Sequence, residues 1–250
     1  MKPMLQATGV CKKFDAVVAA EDINIEILTG ERVSLIGSNG AGKTTFVNMI
    51  TGYLKPDKGK IQLQGLDITP LNPRLITRLG VARSFQIPQL FGELTVLDNI
   101  IAAHVCLSAS LSFWRPARES NTTQRAHALL ERFSLQEHRN RRVSELPGGV
   151  RKLLDIAMAL TVSPKLLLLD EPTSGVSADE KFPMMKTIMD ALGQEQSTTV
   201  LFVEHDMEIV AAHASRVIAF YSGRIIADAA PEVALANEDV RRYVTGELLI

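Results

Sequence analysis

Apolar residues along this chain fall into three patterns, each predicting a different element. Continuous apolar runs occur in ERVSLI at 31–36, PKLLLLDEP at 164–172 and TTVLFVEHD at 198–206. Runs of this length suit strands covered on both faces, as at the centre of a parallel sheet. Strict alternation occurs in INIEIL at 23–28 and KGKIQLQGLDI at 58–68, the second after the turn signal KPDKG. It predicts strands with one buried face, and with an opening strand at 4–10 they suggest an antiparallel sheet beside the core. SRVIAFYSGRIIADA at 215–229 reads as a hairpin around Ser222 and Gly223.

Helical spacing appears in FVNMITGYL at 46–54, closed near Gly52, and in TVLDNIIAAHV at 95–105. It recurs in TTQRAHALLERFSL at 122–135, LPGGVRKLLDIAMAL at 146–160 and MEIVAAHA at 207–214. SADEKFPMMKTIMDALGQ at 177–194 reads as a helix with Pro183 close to its start. LSASLSFWRPARES at 107–120 is polar and proline-bearing, and reads as an exposed linker. The predicted layout is one domain over 1–250. Residues 1–86 and 158–250 form an α/β core with its β subdomain, and 87–157 form an inserted helical subdomain.

The chemistry concentrates at the ends of the buried runs. GSNGAGKTT follows the first of them and opens a helix. A strand, then G-x-x-x-x-G-K-T, then a helix is the context that marks a phosphate-binding P-loop. The loop is Gly37, Ser38, Asn39, Gly40, Ala41, Gly42, Lys43, Thr44 and Thr45. Gly37, Gly40 and Gly42 permit backbone angles and close approaches that a side chain would block. Loop amides and the positive helix end then face a polyphosphate. Lys43 reaches its β- and γ-phosphates, Thr44 ligates Mg²⁺ and Thr45 adds a hydroxyl donor.

The run at 164–172 ends in Asp170 and Glu171, at the strand edge where open α/β sheets bind ligands. Asp170 suits Mg²⁺, held through water, and Glu171 suits the base that polarises the water attacking the γ-phosphate. His205 ends the next run and can bond that phosphate while orienting Glu171. Gln86 follows the strand-like VARSF, where an amide can touch Mg²⁺ or the attacking water, although taken alone a polar residue at a strand end reads as ordinary. Phe14 can stack on an adenine ring, although a core or edge aromatic is an equal reading. The histidines at 104, 127, 138 and 213 read as structural or solvated. LPGGV, comprising Leu146, Pro147, Gly148, Gly149 and Val150, opens a helix with exposed amides. That second anion site is more useful to a nucleotide held by another subunit than to the chain's own.

Composition removes some function classes. Across 250 residues the net charge is -1, which offers no electrostatic footprint for nucleic acid. No stretch reaches the roughly 20 apolar residues of a membrane span; the nearest, IIAAHVCLSASLSFW at 100–114, reads as a buried helix running into a loop. MKPMLQATGV lacks the apolar core of a signal peptide. Cys11 and Cys106 have no metal-type spacing and read as two buried thiols in a reducing cytosol.

Taken in order, the P-loop, Gln86, LPGGV, LLLLDEP and His205 resemble an ABC transporter ATP-binding subunit over essentially the whole chain. RSFQIPQLFGELTVLDNI, the linker before the long helix, and VEHDMEIV with the tail near RRYVTGELL are similar to the branched-chain amino acid uptake class. Lipopolysaccharide-export ATPases are the nearest rival. A non-transport ABC protein acting on DNA or ribosomes, a small-molecule kinase and a GTPase fit the motif set less well.

The resemblance implies an α/β fold: a RecA-like P-loop NTPase core, an antiparallel β subdomain and an inserted α-helical subdomain. It implies ATP and Mg²⁺ as cofactors and ATP hydrolysis coupled to transport. Phe14 then matches the adenine-stacking aromatic, Gln86 the Q-loop and Leu146–Val150 the signature motif, usually LSGGQ. Asp170 and Glu171 match the Walker B aspartate and catalytic base, residues 174–177 the D-loop, and His205 the switch histidine. The implied partners are membrane permease subunits, a second ATPase subunit in a homo- or heterodimer, and indirectly a periplasmic or extracellular solute-binding protein. The implied place is peripheral, on the cytoplasmic face of the inner membrane. The chain departs from the pattern at Pro147, Val150 and Ser177. Pro147 brings neither the signature hydroxyl nor a backbone donor, so the site completed by this signature is expected to be weak.

Overall fold

Burial along Arg32–Gly37 is unbroken from Val33 onward, so the run met first in the sequence is a strand with no solvent face. The computed structural model describes residues 3–107, 120–193 and 198–246. Its elements in chain order are β1 (Pro3–Phe14), β2 (Val17–Leu28), β3 (Arg32–Gly37), α1 (Lys43–Ile50), β4 (Lys58–Leu63), β5 (Leu66–Asp67) and α2 (Pro73–Arg78). Next come β6 (Val81–Ser84), α3 (Val96–Leu107), α4 (Ser120–Arg132), α5 (Gly148–Ala159), β7 (Leu166–Asp170) and α6 (Ala178–Gly193). The chain ends with β8 (Thr199–Val203), α7 (Met207–His213), β9 (Arg216–Tyr221), β10 (Arg224–Ala229), α8 (Pro231–Ala236) and α9 (Glu238–Val240). Contacts divide it into one unit of Met1–Val81 with Ser197–Ile250, and a second of Ala82–Gln196. The second unit thus holds residues 158–196 together with the helical stretch.

In the first unit, β2, β1, β4 and β5 form an antiparallel sheet in that order. Ile23, Ile25 and Ile27 of β2 are buried while Asn24 and Glu26 alternate with them outward, the period of a one-sided strand. The order β10-β9-β3-β8 forms the other layer, with β3 parallel to both β8 and β9. Leu35 pairs with Val203 across β3 and β8, so both strands deliver their carboxyl ends to one edge. Phe46 of α1 meets Phe220 of β9 with ring centroids 5.8 Å apart, tying the helix after the glycine loop to the sheet. Ser222 and Gly223 both take positive φ in the β9–β10 turn, which is why that dipeptide suits a two-residue hairpin.

In the second unit, β7 lies beside β6, and all five β7 residues are buried. Leu154, Ile156 and Ala157 of α5 are buried together with Met185, Ile188 and Met189 of α6. Helix α3 carries Val96, Ile100 and Ile101 into the same unit's core.

Four expectations change. Residues 58–68 are two strands, because Gln64 and Gly65 adopt φ of 50° and 84° and fold the chain back; alternation alone does not reveal a turn of two polar-tolerant residues. The strands expected at 4–10 and 23–28 run further, to Phe14 and from Val17, because they pair as one long hairpin. Pro183 is the sixth residue of α6, past the first turn, with its carbonyl accepting from Thr187 Oγ1 at 3.0 Å. The thiols are not both buried: Cys11 is partly exposed and Cys106 exposed. Cys106 follows Ile100, Ile101 and Ala103, which take the core side of α3. The linker at 107–120 falls almost wholly outside the described residues.

Candidate functional site

The glycine loop is folded into its own unit by close backbone packing. A Cβ on Gly37 would stand 2.5 Å from the Phe220 carbonyl oxygen, and one on Gly42 2.3 Å from that of Ala19. Both have positive φ, so these two glycines are required by space and by backbone angle. Lys43 is buried, and its Nζ donates to the carbonyls of Gly37 at 2.6 Å and Ser38 at 3.1 Å. The ammonium is therefore held inside the curl of the loop. Asn39, Gly40 and Thr44 are exposed and Ser38 and Thr45 half-buried, while Ala41 is buried and its amide bonds back to Ser38. No side chain caps α1, so its first-turn amides face outward with the positive end of the helix.

β8 brings His205 to the loop's edge of the sheet. His205 is exposed, and its backbone amide donates to the buried Glu204 carboxylate at 3.2 Å. Asp206 starts α7 by accepting from the Glu208 and Ile209 amides. Phe14 ends β1 with 46% of its surface exposed, and the Lys12 ammonium lies 5.6 Å from its ring centroid. A large aromatic left that open is available for stacking.

The second unit gathers the other group. β7 ends at Asp170, buried and paired with Arg83 at 2.6 Å. Glu171 follows with a φ of 48°, an angle that costs a non-glycine residue on the order of 1 kcal/mol or more. Three contacts hold it there. Lys152 Nζ donates to its carbonyl at 2.6 Å, the Ser174 amide donates to the same carbonyl at 3.1 Å, and Gln86 Nε2 donates to its carboxylate at 2.7 Å. Gln86 and Glu171, 85 residues apart in sequence, are thus in direct contact.

Pro147 is the N-cap of α5, with φ of −58° and no side-chain cap. The first intrahelical donor is the Arg151 amide, bonded to the Pro147 carbonyl. The amides of Gly148, Gly149 and Val150 stand ahead of it, and a Cβ on Gly148 would meet nothing within 4 Å. The Gly-Gly tip is a surface feature, as a site serving a second molecule requires. Leu146 beneath it is buried, and its carbonyl accepts from Arg151 Nε at 2.8 Å.

Sequence reasoning passes over three residues of this group: Arg83, Lys152 and Asp155. Arg83 is a lone charge inside the strand-like VARSF, while Lys152 and Asp155 lie on an amphipathic helix, where the sequence does not mark them as buried. Burial pushes the Asp155 carboxyl above its usual range, against the pull of hydrogen bonds from Ser84, Gln89 and Phe85 and the charge of Lys152.

The donor sets suit a magnesium nucleotide. Thr44 of the first unit, and separately Asp170 and Gln86 of the second, carry hydroxyl, carboxylate and amide oxygens of the hard kind that Mg²⁺ takes. A glycine curl with a buried ammonium suits its phosphates.

Residues 20–174 match the ABC transporter family model. The high-affinity branched-chain amino acid transport ATP-binding protein LivG of Escherichia coli K12 is 37% identical over 98% of this chain and 99% of its own. BraF of Pseudomonas aeruginosa, bearing the same description, is 34% identical over the same shares. A crystal structure of an ATP-binding cassette of an ABC transporter in its ADP conformation superimposes with a TM-score of 0.85 at 29% identity, covering 97% of this chain and 98% of its own. The fold is accordingly the expected one, a P-loop NTPase core with an antiparallel β subdomain and an α-helical subdomain. With its glycine loop, its strand-end carboxylates and its full-length likeness to these cassettes, the chain belongs to the ABC transporter family, among its ATP-hydrolysing subunits.

Proposed function

We propose that this chain powers uptake of branched-chain amino acids, or related small polar solutes, through a membrane permease on whose cytoplasmic side it docks. The observation that carries this reading is the bond between Gln86 and Glu171, because Gln86 opens an exposed apolar segment. Ile87 is 74% exposed and Phe91 54%. These two side chains give the segment apolar surface that a partner can cover. A membrane-embedded partner covering them would push directly on the residue that bonds Glu171. No helix among the described residues is long and apolar enough to cross a membrane. The substrate class rests on the descriptions of the relatives.

Within the site, Phe14 stacks on adenine. Loop amides from Ser38 to Gly42, with Lys43 and Thr45, hold the phosphates. Thr44, Asp170 and Gln86 would hold Mg²⁺, which neutralises phosphate charge when bound. Glu171 accepts the proton of the attacking water, and His205 bonds the γ-phosphate. Arg83 pairs with Asp170 at 2.6 Å, and a cation held at that carboxylate would have to share it with the guanidinium.

Ile87→Asp with Phe91→Ser tests the docking face. The paired variant is expected to keep its fold and lose co-purification with a co-expressed permease. Retention of the complex, with transport intact in proteoliposomes, would remove this face from the docking surface.

The signature tip completes a nucleotide site on a second cassette. Its degenerate sequence points to a different partner subunit carrying an intact signature. Pro147→Ser supplies an N-cap hydroxyl and a phosphate donor at once. One hydrogen bond to a charged group is worth about 1.5 kcal/mol, roughly tenfold in apparent ATP affinity for the site it completes. ATPase activity of the assembled complex at sub-saturating ATP is expected to rise by that order. An isolated wild-type chain that already forms an active ATP-dependent homodimer contradicts the asymmetric pairing.

A further inference from the structure

Residues 85–91 carry Gln86 but have no strand or helix of their own, so something else must fix them. Two buried polar side chains do so. At the far end, Asn99 of α3 is fully buried; its Oδ1 accepts from the Phe91 amide at 2.9 Å, and its Nδ2 donates to the Phe91 carbonyl at 3.1 Å. At the near end stands Asp155 of α5, only 7% exposed. One carboxylate oxygen accepts from Ser84 Oγ at 2.7 Å and the Phe85 amide at 3.2 Å; the other accepts from the Gln89 amide at 3.2 Å. These donors bracket Gln86 on both sides. One turn earlier on the same helix, Lys152 holds the Glu171 carbonyl. α5 therefore fixes both partners of the Gln86–Glu171 bond, and its own first residues are the Gly148–Gly149 tip.

We infer that Asp155 is a positioning residue for ATP hydrolysis: its carboxylate, presented from the signature helix, sets where Gln86 stands against Glu171. A buried carboxylate that satisfies three donors, two of them backbone amides, fixes a loop more sharply than apolar packing does. The arrangement also gives the signature tip a route to Gln86. A nucleotide drawing on the amides of Gly148 and Gly149 pulls on α5, and α5 carries both Asp155 and Lys152. The inference rests on the role given above to Gln86 in hydrolysis.

Asp155→Asn keeps the side chain's size and replaces one acceptor oxygen with a donor, so the Ser84–Phe85 pair or the Gln89 amide faces an NH₂ group. Displacing a reacting constellation by about 1 Å costs something like 10²-fold. In the assembled complex the variant is expected to lose about 10–100-fold in kcat with the KM for ATP within about twofold, since the phosphate loop lies in the other unit. Ser84→Ala, which removes one donor only, should show a smaller loss in the same direction. Hydrogen exchange at the Phe85 and Gln89 amides should accelerate in Asp155→Asn while that of β7 stays protected.

A double-mutant cycle with Gln86→Ala isolates the route. If Asp155 acts through Gln86, adding Asp155→Asn to Gln86→Ala should cost less than about threefold more. Additive losses, or unchanged exchange at Phe85 and Gln89, overturn the inference. Gln86→Ala turning over like the wild type instead overturns the role of Gln86, and the exchange measurement then decides separately whether Asp155 holds the segment. Should Asp155→Asn fail to fold, Ser84→Ala carries the same cycle.

Discussion

Glu171→Gln is expected to bind MgATP with near wild-type affinity and to turn it over about 10²–10⁴-fold more slowly, the usual value of a positioned general base. The substitution is close to isosteric. The amide oxygen of the new side chain can still accept from Gln86 Nε2, as the carboxylate does at 2.7 Å. Lys152 and the Ser174 amide hold the backbone carbonyl, which the change does not touch. The φ of 48° survives equally, since glutamate and glutamine meet the same backbone penalty. What disappears is the ability to take a proton from water. Phosphoryl transfer depends mostly on positioning and charge neutralisation, so the phosphate loop should bind as before. Equilibrium binding of MgATP paired with phosphate release separates the two effects. Turnover within about threefold of wild type would take Glu171 out of the mechanism.

The parts of the site legible in the sequence are those encoded by neighbours. The glycine loop lies between a buried strand and a helix, and all three are read from a single stretch of about twenty residues. β7 and β8 announce themselves because strands without a solvent face leave unbroken apolar runs. The β9–β10 hairpin is legible from Ser222-Gly223 for the same local reason. The β4–β5 turn is hidden because Gln64 and Gly65 fit an alternating pattern as well as a turn. Whatever depends on distant pairs is not legible. Arg83 meets Asp170 across 87 residues of sequence, and Ser84 meets Asp155 across 71. From sequence, Asp155 is an acidic residue on an amphipathic helix, a type usually left in water. Only the fold shows that its helix face is buried and that three donors converge there. The exposure of Cys106 is likewise undecidable from sequence, because it turns on which side of α3 the neighbouring residues need.

Lys43→Ala is expected to weaken MgATP binding by about 10²–10⁴-fold, the largest single-residue effect on affinity in this chain. Lys43 is buried at the start of α1, and its ammonium sits between two loop carbonyls at 2.6 and 3.1 Å. That placement centres a full positive charge in a curl of glycines where the phosphates would come to rest. Two charge-assisted hydrogen bonds to phosphate oxygens are worth about 1.5–3 kcal/mol each, and every 1.4 kcal/mol is tenfold in affinity. Removal also strips the Gly37 and Ser38 carbonyls of their donor, so the empty loop loses its brace. Alanine is the better helix former at this first position, so α1 itself should persist. Calorimetric titration can compare nucleotides: the loss should be smaller for ADP, which lacks the γ-phosphate that Lys43 reaches. Equal losses for ATP and ADP would place the ammonium on the inner phosphates alone, and ATP affinity within about threefold of wild type would mean that the loop amides bind without it.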